Sequence, residues 1–208
     1  ALLNLGRFGQ ALDMFVRAFQ GYALKDEFIL SIGSPAQYWL QVLEALGSWH
    51  QRALCVRAAR LALSELPDAA PEVPALWAAV LDHTLALGDW DEAFHAVCAQ
   101  PTAEAVRMFA LTLCERGQMQ RLCELPLETL ADTVEAALLA RARERGVFFA
   151  HLYAFRTRRH NHRGAASAMY EAAQRAELSV RTKGRAAVAA TRDALMLCAN
   201  SLATVEKS

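Results

Sequence analysis

The sequence has few aromatic residues, few glycines and few prolines, and each shortage narrows the fold class. Aromatic residues make up 8% of the 208 residues, and glycine and proline contribute ten and six. Runs rich in β-branched and aromatic residues, which are typical of strands, are missing. Alanine and leucine, which are strong helix formers, account for much of the 54% hydrophobic content. The composition therefore predicts an all-α protein.

Net charge and long apolar runs are missing as well. Lysine plus arginine and aspartate plus glutamate are equal at 22 each, so no global field attracts a polyanion or an anionic membrane. No apolar run approaches the roughly 18 residues that cross a bilayer. The first ten residues lack the charged start and the cleavage site of a signal peptide. Because there is also no initiator methionine, we expect a piece of a larger protein.

The cysteines form no recognisable framework. They are Cys55, Cys98, Cys114, Cys123 and Cys198. Their number is odd and no two stand in a C-x-x-C arrangement, so neither a disulfide scaffold nor a zinc cage is predicted. Each lies among apolar residues at helical spacing. We expect buried, reduced thiols of an intracellular protein, with metal or redox chemistry as the less favoured alternative.

Catalytic motifs are missing too. There is no P-loop, no G-x-G-x-x-G, no H-E-x-x-H and no G-x-S-x-G. His160 and His162 could supply two metal ligands, but no carboxylate or cysteine stands at a useful spacing, so a solvated turn between two helices is favoured. His83 and His95 lie beside apolar faces and are interpreted as structural histidines. We expect no enzyme, and no catalytic, cofactor-binding or metal-binding residues.

What is present is a recurring short cell of glycine, an aromatic residue and alanine. It occurs as GRFGQA (Gly6–Ala11), GDWDEA (Gly88–Ala93) and stretched GSWHQRA (Gly47–Ala53), with degenerate forms at Gly117 and His160–Ala165. Glycine supplies the left-handed residue that ends one helix, a polar residue caps the next helix, and alanine permits close approach. We expect the aromatic residue to lie under the turn.

The spacing of these cells decides between a regular and an irregular repeat. The glycines that lead these cells, Gly6, Gly47, Gly88 and Gly117, are 41, 41 and 29 residues apart, whereas a tetratricopeptide array repeats every ~34 residues. The sequence therefore predicts an irregular α-solenoid of stacked antiparallel helix pairs, with tetratricopeptide-like hairpins and no fixed period.

Apolar periodicity and capping residues support the same architecture. Apolar residues recur at i, i+3, i+4 and i+7 in the sets Leu12, Phe15, Val16 and Phe19; Val106, Phe109, Ala110, Leu113 and Cys114; and Ala166, Met169, Tyr170 and Ala173. Helix N-caps are predicted at Ser34, Asp89 and Thr102. We expect about ten to twelve helices, the last and longest near 182–204. Three prolines predict a loop at 66–74 that separates two groups of hairpins in a single segment, 1–208.

One tract is strongly basic. Between Arg141 and Arg163 there are seven arginines and one acid, Glu144, a local charge of +6, whereas residues 102–135 carry six acids against three arginines. We favour arginines that face solvent or pair with acids on adjacent helices, since phosphate-binding surfaces usually make the whole domain basic. Contact with a nucleic acid and contact with an acidic partner subunit remain alternatives.

Two stretches, Thr112–Leu130 and Leu152–Arg175, each predict a helix, a tight polar turn and a second helix. In this order and separation they resemble the nucleoporin one-sixty family, large α-helical scaffold subunits of the Y-shaped outer-ring complex of the nuclear pore. The residues that carry the resemblance are Leu113, Cys114, Glu115, Arg116, Gln118, Gln120, Leu122, Cys123, Glu124, Pro126, Leu152, Tyr153, Ala154, Phe155, Arg159, His160, Asn161, Arg163, Ala165, Met169 and Glu171. Weaker similarity covers ALDMFVRAF, DEFI and Val180–Thr182. The alanine-rich composition and Gly164–Ala165 depart from the animal members.

The resemblance implies a structural role and a location. It implies a scaffold segment at the nuclear envelope that holds other Y-complex nucleoporins and supports nucleocytoplasmic transport and mRNA export. It implies no cofactor, no small-molecule substrate and no membrane insertion, and a β-propeller elsewhere in the full protein. Two other functions stay open: a soluble helical-repeat adaptor that binds peptides or partner proteins, and a helical array that binds RNA or DNA. The adaptor would need polar peptide-gripping residues recurring at one helix position, and none are evident.

Overall fold

The computed structural model describes residues 2–22, 34–67, 69–183 and 185–205; for 22, 178–183 and 185–187 it describes the backbone alone. In these ranges there are eleven α-helices, two short 3₁₀ helices and no β-strand. The predicted all-α class and the predicted number of helices are confirmed. The chain divides into two compact units, Ala1–Ala105 and Val106–Ser208.

In the first unit, helices joined by short connections pack side by side. The bounds are α1 Phe8–Tyr22, α2 Pro35–Ser48, α3 Arg52–Glu65, α4 Val73–Leu87 and α5 Trp90–Ala99, after a 3₁₀ turn at Leu3–Leu5. Helix α2 packs on α3, α3 on α4 and α4 on α5, while α1 contacts α2 and α3. The Tyr38 hydroxyl donates to the Phe15 carbonyl at 2.8 Å, and the Phe19 ring packs against Tyr38 and Trp39. These contacts fix α1 to α2.

The second unit is arranged around one central helix. Its helices are α6 Ala103–Glu115, which begins just before the unit boundary, then α7 Met119–Glu124, α8 Ala131–Glu144, α9 Phe148–Arg158, α10 His162–Lys183 and α11 Arg185–Val205, with a 3₁₀ turn at Glu128–Leu130. Helix α9 packs on α7, α8 and α10, and α10 packs on α11. Because α9 touches three helices, it buries Phe148, Phe149, Leu152 and Phe155.

The predicted boundaries of the last helix, of the proline-rich loop and of the whole segment have different outcomes. The last helix begins at Arg185 rather than near Thr182, because α10 continues to Lys183, and at 22 residues α10 is one residue longer than α11. The predicted loop at 66–74 overlaps the connection between α3, which ends at Glu65, and α4, which begins at Val73, and these two helices pack against each other within the first unit. A single segment over 1–208 stays a prediction. The DEFI stretch (Asp26–Ile29) lies outside the described residues.

Five turns share one hydrogen-bond pattern. At each turn, a residue with positive φ donates its N–H to the carbonyl three residues back, and the next N–H donates to the carbonyl five residues before it, at 2.8 to 3.3 Å. This is the Schellman ending of a helix, which favours glycine. The positive-φ residues are Gly6, His50, Gly88, Gly117 and His160. The predicted recurring cell therefore corresponds to a recurring turn.

The stretched cell was assigned to the wrong residue. Gly47 lies inside α2, and the left-handed position belongs to His50, with φ of 56°. The shift moves the helix contact as well, because Ala53 is exposed and Cys55 is the first buried residue of α3. Histidine at a left-handed position gives no glycine signal in the sequence, which explains the error.

Capping was predicted more accurately. The side chain of Ser34 accepts from the N–H of Gln37 at 3.1 Å, Asp89 from Glu92 at 3.3 Å, and Thr102 from Ala105 at 3.1 Å. Each bond satisfies one of the free N–H groups of a helix start. All three predicted N-caps are confirmed.

The Gly88–Ala93 cell shows how the turn and the core are connected. Ala93 is fully buried, and the Trp90 ring lies against the turn, 3.7 Å from where a Cβ on Gly88 would be. The apolar face of α6 is buried as predicted. In the predicted apolar sets, Tyr170 of α10 is exposed, and Phe15 and Val16 of α1 are half-buried.

Ala93→Glu should destabilise the first unit by about 3 kcal/mol, because it forces an unpaired charge into a packed helix contact. The measurement is urea unfolding of the 208-residue chain followed by circular dichroism. The matched control is Ala53→Glu, which places the same charge on an exposed helical position and should change stability by no more than about 0.5 kcal/mol. Equal effects of the two variants would contradict the assignment of Ala93 to the core.

Candidate protein-contact surfaces

The turn between α9 and α10 is built by the second family-like stretch. Leu152 and Phe155 are buried on α9, and the chain reverses at His160, which has φ of 58°. The N–H of His160 donates to the Thr157 carbonyl at 3.0 Å, and the N–H of Asn161 donates to the Arg156 carbonyl at 2.9 Å. Histidine therefore occupies the position that glycine holds at the Gly6, Gly88 and Gly117 turns, as it also does at His50.

Asn161 explains the glycine that follows it. The Asn161 Oδ1 accepts from the N–H of Gly164 at 2.9 Å and caps α10. A Cβ on Gly164 would lie 2.5 Å from Nδ2 and 2.7 Å from Oδ1 of Asn161. A larger residue here would require the Asn161 side chain to shift from its capping position. Ala165, the next residue, is fully buried.

Arg156 joins three helices. Its Nε and Nη2 donate to Glu135 of α8 at 3.0 and 2.8 Å, and its Nη1 donates to the Gly164 carbonyl of α10 at 2.7 Å. The Arg156 side chain is only 11% exposed. Since an ion pair with both ends largely shielded from water is poorly screened, removing either partner leaves a costly unpaired charge.

Three further arginines of the basic tract are paired. Arg141 donates to Glu115 at 3.1 Å and to Glu144 at 3.0 Å. Arg143 donates to Glu171 at 3.2 Å, and Arg145 lies 3.6 Å from Glu115. The pairing predicted with acids on adjacent helices is therefore confirmed for Arg141, Arg143, Arg145 and Arg156. The pairs outside Arg156 are more exposed and individually contribute little.

The first family-like stretch forms a buried sulfur contact. The Cys114 Sγ lies 3.6 Å from the Met119 Sδ, and Leu113 and Leu122 are fully buried on either side of the Gly117 turn. Burial raises the pKa of the Cys114 thiol to about 12, with smaller contributions from Cys123 and Glu115. The group is a neutral thiol at physiological pH and is therefore a poor nucleophile and a poor metal ligand.

The cysteines are free, but not all are buried. Cys55 and Cys114 are buried, Cys123 and Cys198 are half-buried, and Cys98 is exposed. The expectation of five buried thiols is wrong at Cys98, which lies on the solvent side of α5. In the described ranges no group of three or more histidine, cysteine or acidic residues is arranged to hold a metal ion. None of the helices described has both the length and the apolar character that crossing a bilayer requires.

The histidines fall into two groups. His95 is exposed, with its ring centroid 5.7 Å from that of Trp77 and its Nδ1 3.4 Å from the guanidinium of Arg60, which pairs with Glu92. The Nδ1 atoms of His83 and His151 are buried, and that of His83 lies 3.7 Å from the Asp82 carboxylate. Burial lowers the pKa of both imidazoles. The structural interpretation of His83 agrees with this burial.

Helix α11 carries the most extended apolar surface among the described residues. Val188, Leu195 and Leu202 are 55%, 46% and 48% exposed. They are spaced seven residues apart, so they form one stripe along the helix. Met196 and Leu197 are also exposed, while Ala194 and Ser201 face the unit's interior. A stripe with this spacing is the kind of surface that receives another helix.

These features define a class of protein: an all-α helical-repeat chain with irregular hairpins and an exposed apolar stripe on its last helix. The family model described as "NUP160/120 middle TPR" matches residues 1–203. The chain therefore belongs to the NUP160/120 family, and the resemblance predicted from the two stretches is confirmed.

Individual relatives agree with the family. The chain is 31% identical over 198 residues to the nuclear pore complex protein Nup160 of Mus musculus, covering 86% of this chain and 14% of that protein. It is 31% identical over 154 residues to the Homo sapiens protein, covering 70% and 11%. It is 25% identical over 177 residues to the Drosophila melanogaster homologue, covering 81% and 12%. The chain thus spans less than a sixth of the length of these curated relatives.

Gly164→Ala should destabilise the second unit by about 1 kcal/mol, because the new Cβ displaces the capping amide of Asn161. In an Asn161→Ala background, where the cap is already lost, the same change should become neutral or stabilise by up to about 1 kcal/mol. Thermal unfolding of the four proteins measures both effects. A penalty that persists unchanged without Asn161 would show that the side-chain conflict is not the cause.

Stability should fall as the solution is acidified below about pH 6.5, the ordinary histidine value. His83 and His151 have lowered pKa values when folded, so the unfolded chain binds more protons as pH drops towards those values. The double variant His83→Gln/His151→Gln should flatten this dependence. Melting temperatures at pH 8 and pH 5.5 test it, since the pH 8 difference reports packing alone. An unchanged slope in the variant would contradict the role of these two imidazoles.

Proposed function

We propose that this chain is a segment of a scaffold nucleoporin and that it works through lasting contacts with other proteins. The family match over residues 1–203 supports this proposal. The relatives are nuclear pore complex proteins, so the location is the nuclear pore complex at the nuclear envelope. In this role the segment holds neighbouring nucleoporins of the Y-shaped outer-ring complex. It thereby supports nucleocytoplasmic transport and mRNA export.

The observation that carries the proposal beyond the family is the stripe on α11. Its three exposed apolar residues at seven-residue spacing fit the apolar face of a helix, and the partner in this proposal is a helix of a neighbouring nucleoporin. Two open apolar grooves lie beside the stripe, one of about 530 Å³ that includes Val188, Leu195 and Met196, and one of about 520 Å³ that includes Leu197 and Phe149. A helix laid along α11 would cover the first groove.

The scaffold role requires no catalysis, and we propose that the chain is not an enzyme. The buried thiol of Cys114 is held protonated by its raised pKa, and the Nδ1 atoms of His83 and His151 are shielded from solvent. A nucleophile or general base needs the opposite environment, with an orienting partner and access to substrate.

The test replaces the stripe in the tagged protein expressed from its natural gene. Val188→Ser, Leu195→Ser and Leu202→Ser together should reduce the co-purifying nucleoporins at least fivefold and weaken the nuclear-rim signal. The matched control replaces three exposed apolar residues of the first unit, by Leu5→Ser, Met14→Ser and Leu87→Ser, and should retain the partners.

Two results would contradict the proposal. If the unaltered protein is diffuse in the cytosol and no nucleoporins co-purify with it, the alternative of a soluble helical-repeat adaptor is favoured. If the stripe variant retains its nucleoporins, α11 is not the contact surface.

A further inference from the structure

The turn between α9 and α10 carries cations that the second unit does not neutralise. Arg158, Arg159 and Arg163 are exposed, and none of them pairs with a carboxylate of the described residues. They lie within six residues of sequence, together with His160 and His162, whose ring centroids are 6.2 Å apart. The other four arginines of the tract differ because each has a carboxylate partner. Because those four arginines are paired, the unpaired positive charge of the tract lies at one turn. We call it the RRHNHR turn (Arg158–Arg163).

The groups next to these arginines do not neutralise their positive charge. The Arg159 guanidinium lies over the Phe155 ring at 5.7 Å, a contact that leaves its charge in place. Burial raises the pKa of the Cys123 thiol, although the nearby charge of Arg158 acts to lower it. This thiol therefore supplies no negative charge to the turn. Glu124 instead accepts a hydrogen bond from the Gln120 amide at 2.9 Å. The positive charge of the turn is therefore available to an outside partner.

The turn presents these cations on a fixed backbone. Two Schellman hydrogen bonds, the Asn161 cap and the bond from Arg156 to the Gly164 carbonyl hold the main chain on both sides of His160. Because the backbone is already ordered, a partner does not have to meet the cost of ordering a loop. A rigid charged turn is better suited to a specific contact than a flexible basic tail.

A groove leads away from the charged turn along α9. It has a volume of about 560 Å³ and is lined by Tyr153, Ala154, Thr157, Arg158 and His160. One end is therefore cationic, and the other offers an aromatic ring and a small apolar side chain. This combination fits an extended polypeptide whose carboxylates meet the arginines and whose neighbouring side chains enter the groove.

We propose that the RRHNHR turn and its groove bind an acidic segment of a partner protein. This surface is distinct from the α11 stripe and the proposal does not depend on it. A nucleic acid is the less suitable partner, because polyanion binding relies on many phosphate contacts along a basic surface. Here only three arginines remain unpaired within the tract, at a single turn, and acidic and basic residues of the chain are equal in number.

The experiment measures binding of a fluorescent twenty-residue polyglutamate peptide to the 208-residue chain by anisotropy at physiological salt. Arg158→Gln, Arg159→Gln and Arg163→Gln together should weaken binding at least fivefold. The matched control, Arg7→Gln, Arg17→Gln and Arg57→Gln, removes the same charge from three exposed arginines of the first unit and should change binding less than twofold. Melting temperatures of both triple variants check that the fold is retained.

Three outcomes would overturn the proposal. The first is no saturable binding of polyglutamate by the unaltered chain. The second is an equal loss in the two triple variants, which would mean that only net charge matters. The third is tighter binding of a twenty-nucleotide polyuridine RNA than of polyglutamate, lost in the turn variant, which would identify the turn as a nucleic-acid site instead.

Discussion

In the second unit, the hydrogen bonds of the Arg156 guanidinium hold three helices together. The guanidinium projects from the central helix α9 and bonds a carboxylate on α8 and a main-chain carbonyl on α10, with distances of 2.7 to 3.0 Å. The planar fork of arginine suits this geometry, since one group can donate in two directions at once. The main-chain carbonyl of Arg156 also accepts a hydrogen bond from the N–H of Asn161, and this bond closes the turn that follows. One residue therefore sets both the packing of three helices and the direction of the next turn.

Around this contact, the hairpins follow a rule that is local and tolerant of length. Each needs one left-handed residue and a small or apolar residue where the helices meet, as with Gly88 and Ala93 or His160 and Ala165. Neither requirement fixes how long the helices are. Helix length ranges from 6 residues in α7 to 22 in α10, which explains why the cells recur without a period. Such a chain can adjust where its surfaces lie while keeping its turns.

Much of this could be predicted from sequence, because it depends on neighbours in the chain. The apolar spacing correctly predicted the buried face of α6, and short polar residues correctly predicted the helix N-caps at Ser34, Asp89 and Thr102. The predictions were wrong where the residue type does not indicate the backbone conformation or the exposure of the side chain. His50 adopts a conformation that sequence rules reserve for glycine, and Cys98 has apolar neighbours yet faces solvent. The division of the arginines into paired and free was beyond prediction, because their carboxylates come from helices that only the fold brings together.

The central claim, that Arg156 and Glu135 act as one unit in holding α8, α9 and α10 together, is tested most directly by a double-mutant cycle. Unfolding free energies of the unaltered chain, Arg156→Gln, Glu135→Gln and the double variant give the coupling between the two side chains. The account predicts a coupling of about 1.5 kcal/mol or more, since both groups are largely shielded from water. A coupling within about 0.3 kcal/mol of zero would contradict it and reduce the pair to an ordinary surface contact.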